Sequence, residues 1–138
     1  MKKLVVVLSL SFLTMPLIMS GCGEKYSDAK KINEEFVSIM EDYVSDLEKA
    51  DDAKTVAKAI NRFADGMEDL LPQMQKLSEK YPELKDKSNP PEELKESQQK
   101  AEEMSKKMAG SMMKMMTYMM DPEVQEAQKR LGSVMTKQ

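Results

Sequence analysis

Histidine and tryptophan are absent from these 138 residues, and cysteine occurs once, at Cys22. Each absence removes a class of function. Without histidine the chain lacks the usual general base at neutral pH, the commonest metal ligand and any haem-attachment motif. Serine and cysteine hydrolase triads are excluded, because no nucleophile has a histidine to activate it. A single cysteine allows no disulfide within the chain, so stability must come from packing. The usual packing residues are scarce as well. Residues 22–138 hold only 17 Leu, Ile, Val and Phe, a level at which a chain stays disordered unless something else builds its core. What the sequence has in excess is methionine, 15 in all.

The N-terminus reads as an address. Lys2 and Lys3 precede an apolar run, Leu4 to Ile18, followed by Met19-Ser20-Gly21-Cys22. A basic start, an apolar centre and small residues at a cleavage point are the layout of a secretory signal. A membrane-spanning helix needs about 20 mostly apolar residues, and this run is shorter and interrupted by Pro16. The tetrapeptide ending in Cys22 resembles the lipobox of bacterial lipoproteins, with Met19 where leucine is commoner. The resemblance covers the signal and anchor alone. It implies that residues 1–21 are removed, that Cys22 is acylated, and that a lipid holds the protein to a membrane of the cell envelope. Gly23 at the second mature position implies the outer membrane, facing the periplasm, in a source with two membranes. In a source with one, it implies the outer face of the cytoplasmic membrane.

The mature chain is then 117 residues long, suited to one small domain. Residues 22–26 are expected to form the anchor and a short tether, and residues 27–138 a helical body. Loss of Lys2 and Lys3 moves the net charge from −3 to −5. A mildly acidic surface argues against nucleic acid as a partner.

Hydrophobic spacing predicts an all-α fold, an up-down bundle of three long helices plus a short C-terminal helix. Ser27 or Asp28 is placed to cap a first helix that runs to about Lys49. Its stripe is Ala29, Ile32, Phe36, Ile39, Met40, Tyr43, Leu47 and Ala50. Asp51 and Asp52 supply the next cap. A second helix carries Val56, Ile60, Phe63, Met67, Leu70, Met74, Leu77 and Tyr81. Pro72 falls in phase with that stripe, which predicts a kinked but continuous helix, with a break as the alternative. A third helix is expected from about Pro91 to Met120, capped by Ser88 or Asn89. Asp121-Pro122-Glu123 opens the last, which Gly132 is placed to end early.

The third helix is chemically unusual. Between Lys95 and Glu123 there is no Leu, Ile, Val, Phe or Trp, and methionine takes their place. Met104, Met108, Met112, Met115 and Met119 share one face, while Met113, Met116 and Met120 form a second beside it. The first reading is that these methionines are the core of the helix, since without them it has nothing to bury. Two functional readings stand beside it. Met113, Met116 and Met120 make an apolar docking surface that can re-pack around a partner. Alternatively Met104, Met108, Met112, Met115, Met116 and Met119 offer thioethers, soft ligands suited to Cu(I) or Ag(I).

Two acidic clusters, Glu41/Asp42/Asp46 and Asp65/Glu68/Asp69, have the spacing of bundle di-iron sites but lack the histidines such sites use. With lysines between them they read as solvated faces. Taken together, the chain is expected to be no enzyme and to need no cofactor. It is expected to be a lipid-anchored binding module with an envelope protein as partner. The alternative is a Cu(I)-binding or sequestering lipoprotein.

Overall fold

The computed structural model describes residues 25–85 and 90–136, whose regular structure is entirely helical. Helix α1 spans Ser27–Lys49, α2 spans Ala53–Lys80, α3 spans Glu92–Thr117 and α4 spans Pro122–Thr136, with a single 3-10 turn at Pro82–Lys85. Among the described residues there is no strand. The signal, Cys22, Ser88 and Asn89 all lie outside them.

The expected apolar stripes become the buried faces. On α1, Ala29, Ile32, Met40, Tyr43 and Leu47 are buried, joined by Val37 and Val44. Phe36 and Ile39 remain half-exposed. On α2, Val56, Ile60, Phe63, Met67 and Leu70 are buried, together with Ala57, Ala59 and Ala64. Each large side chain so buried contributes about 1.5–3 kcal/mol. The α1–α2 turn forms as its residues demand. Asp52 accepts the Thr55 backbone N–H at 2.7 Å while Thr55 closes a reciprocal capping box. Helix α2 runs unbroken through Pro72, which is exposed.

Three expectations are corrected. Neither Ser27 nor Asp28 caps α1, whose N-cap is Tyr26, without a side-chain cap bond. Asp28 lies in the first turn and is held by Lys80 and Tyr81 instead. Helix α3 begins after Pro91 and stops at Thr117 rather than Met120, where the chain turns at Tyr118–Asp121. Gly132 does not end α4. Its φ is not positive, and Leu131 and Val134 carry the apolar stripe past it into the core.

Helix α1 packs against both α2 and α3, and α4 packs against α2; α2 and α3 share no such seam among the described residues. Polar contacts mark the registers. Asn33 Nδ2 donates to Ser97 Oγ at 3.3 Å near one end of the α1–α3 seam, and Lys114 Nζ donates to the Glu48 carbonyl at 2.6 Å near the other. The only two arginines in the chain clip helices together. Arg62 on α2 reaches Asp46 (3.1 Å) and Asp42 (3.4 Å) on α1. Arg130 on α4 reaches the Asn61 carbonyl (3.1 Å) and Asp65 (2.5 Å) on α2. Gly66 lets α1 and α2 approach: a Cβ there would sit 3.1 Å from three atoms of Ile39.

Candidate functional site

Helix α3 is gripped from one side only, and this decides the fate of its methionines. Met104 is buried, and Met108 and Met115 are half-buried against the main core. Tyr43, itself buried and stacked on Phe63 with ring centroids 4.6 Å apart, donates a hydrogen bond to Met115 Sδ at 3.5 Å. Burial raises the pKa of that phenol. Beyond Met108 the core no longer takes the whole stripe. Met112 is 46% exposed, Met113 76%, Met116 63%, Met119 40% and Met120 84%. Five large apolar side chains within nine residues are thus left exposed at the C-terminal end of α3 and in the turn after it.

That end is fixed in place. Lys114 donates to the Glu48 carbonyl, and the Tyr118 hydroxyl donates to the Asp51 carbonyl at 2.8 Å. The Glu48 carbonyl is in the last turn of α1, where helix carbonyls lack partners and attract a cation, and Asp51 lies just past its C-cap, Ala50. The turn after α3 is held by the Tyr118 N–H to Met115 and the Asp121 N–H to Tyr118. Along this stretch of chain the charge has one sign: residues 106–120 carry Lys106, Lys107 and Lys114 and no acid, with Asp121 immediately after.

The predicted residues therefore divide. The docking set, Met113, Met116 and Met120, is exposed. The metal set is split: Met104, Met108 and Met115 face the core, while Met112, Met116 and Met119 are exposed. The core reading holds for the first three and fails for the rest, because α4 folds onto α2 instead of covering this part of α3. Among the described residues no group of three or more acids, cysteines or histidines is placed to hold a metal ion. The acidic clusters instead receive Arg62 and Arg130.

The opposite end carries a feature the sequence did not announce. Tyr26 and Tyr81 meet edge to face at 5.1 Å, 55 positions apart in the chain. The Tyr81 hydroxyl donates to the Lys25 carbonyl at 2.7 Å and the Tyr26 hydroxyl to Glu83 at 3.0 Å. Lys25 pairs with Glu83 at 2.9 Å and Lys80 with Asp28 at 2.5 Å. The lysine bonds hold both carboxyls below their usual pKa, while Tyr26 and then Glu83 raise Lys25, and Asp28 and then Tyr81 raise Lys80. Lys25 and Tyr26, expected in the tether, are thus fastened to the body. Two tyrosines flanked by lysines were the only available signal, and their pairing depends on the fold.

The chain matches no family model, no curated protein and no solved structure. No helix among the described residues is long and apolar enough to cross a membrane. What the protein does must therefore be argued from its own surfaces.

Proposed function

We propose that this is an exported, lipid-anchored protein of the bacterial cell envelope. It acts by binding, without catalysis, and docks a protein partner through Met113, Met116 and Met120, with Met112 and Met119 beside them. The observation that carries this reading is the exposure of five neighbouring methionines at the end of α3. Their position supports it. The α1 N-terminus lies next to the tether, and the methionines lie by its C-terminus, 23 residues and about 34 Å away. An up-down bundle, supported by the cross-helix pairs at Ser97 and Lys114, carries this surface away from the membrane that holds Cys22. A partner suited to it presents an apolar patch with an acidic rim, to complement the exposed Lys106 and Lys107.

The test is site-specific photocrosslinking in the native host from position 116, with position 126 on α4 as the control. A single adduct formed at 116 alone, and lost when Met113 and Met120 become Gln, supports docking. Equal labelling from both positions defeats it. In parallel, Cys22→Ala should release the protein from membranes, and retention would defeat the anchor.

Soft-metal binding is the second reading, favoured by the exposed thioethers of Met112 and Met116, one turn apart on α3, with Met119 exposed in the turn that follows. Changing Met112, Met115, Met116 and Met119 to Leu keeps the apolar face and removes these sulfurs. An anaerobic Cu(I) titration against a competing chelator then decides. Stoichiometric binding that the leucine variant lacks would favour the metal over the partner.

A further inference from the structure

The groove beside the tether is left unused by the docking surface. Ile32 and Phe36 of α1, Met74 and Leu77 of α2, Leu84 of the 3-10 turn and Leu94 of α3 line it, and it encloses about 420 Å3. That is the size of a small-molecule site. Helix α4 has 15 residues against the 28 of α2, and the groove is lined by α1, α2, the 3-10 turn and α3. Along it Phe36, Met74, Leu77 and Leu84 are half-exposed.

The first described residue, Lys25, lies beside this groove. Lys25 is pinned by the Tyr81 hydroxyl and by Glu83, both adjoining Leu84, and Ala29, one turn into α1, lines the groove itself. Cys22 precedes Lys25 by three residues, a reach of at most about 10 Å. We propose that the groove holds a long acyl chain, the one carried by Cys22 of the same molecule. This rests on the lipid-anchor reading above. A flexible chain needs no precise complement, and a wall of Met, Leu and Phe adapts to it. Moving the chain from bilayer to groove exchanges one apolar setting for another, but it also covers apolar side chains that otherwise face water. The short tether makes the step intramolecular. Groove occupancy and membrane insertion then compete for the same chain.

The experiment uses the full-length lipidated protein, freed of detergent, with a reporter thiol at Ser78→Cys in the groove or at Glu79→Cys, exposed on the same turn and outside it. Intact mass first establishes the acyl group; its absence defeats the anchor reading and this proposal with it. Alkylation of Cys at 78 is expected to be at least tenfold slower in the lipidated protein than in its Cys22→Ala counterpart, with position 79 unchanged and the protein monomeric. Equal rates at 78 overturn the proposal, as does equal protection at both positions, the mark of aggregation. Sodium palmitate added to the Cys22→Ala protein should restore the protection. If palmitate protects but the attached chain does not, the groove serves a separate lipid and the proposed occupant is wrong.

Discussion

The Tyr43 hydroxyl of α1 donates to the Sδ of Met115 on α3, across 72 positions of sequence. Met116, the next residue, is 63% exposed. Between these neighbours runs the boundary between the methionines that build the bundle and those that face outward.

The Tyr43–Met115 bond should be measurable by a double-mutant cycle. Met115→Leu keeps the packing but strands a buried hydroxyl, which should cost about 1 kcal/mol. In a Tyr43→Phe background the same change should cost close to nothing. Urea unfolding of the four proteins checks it, and equal costs in both backgrounds would show the bond to be energetically idle.

Outward and inward methionines should separate cleanly in stability. Met113→Gln, Met116→Gln and Met120→Gln should each shift unfolding by no more than about 0.5 kcal/mol, as exposed sites do. Met104→Ala should cost about 2–5 kcal/mol, because it opens a cavity. If the three glutamines destabilise as much as the alanine, the surface is covered in solution.

The helical glycines should respond in opposite directions. A Cβ at Gly110 or Gly132 meets nothing within 4 Å, so Ala at either should stabilise by about 0.5–1 kcal/mol. Gly66→Val drives its added atoms into Ile39 and should cost about 1–3 kcal/mol. Thermal unfolding monitored by circular dichroism reads all three.

Acid should loosen the tether end. Lys80 holds the Asp28 carboxyl below its ordinary 3.8, and Lys25 holds Glu83 below 4.5. As pH falls the unfolded chain takes up protons first, so the stability these carboxylates supply is complete above about pH 5 and declines below it. Between pH 6 and pH 3 the urea midpoint should fall less in an Asp28→Asn/Glu83→Gln protein than in the parent. An identical fall would mean that other carboxyls govern acid unfolding.

Most of the secondary structure was legible in the sequence, because it follows from local chemistry. The stripes on α1 and α2, the Asp52–Thr55 cap and the Pro122 helix start depend on residues within a turn or two of one another. The caps assigned to Ser27 and Asp28, and the stop assigned to Gly132, were misread for the complementary reason. Asp28 is claimed by Lys80 and Tyr81, 52 and 53 positions away, and Leu131 and Val134 gain more by reaching the core than the helix loses at a glycine.

Sequence alone determined that the described chain is helical, that it offers no histidine and no second cysteine, and that methionine must serve in its core. Tertiary structure decided which methionines those are. A helical stripe shows that a face is apolar but not how much of it a neighbour covers. Here α4 packs on α2, and both the methionine surface and the groove stay open.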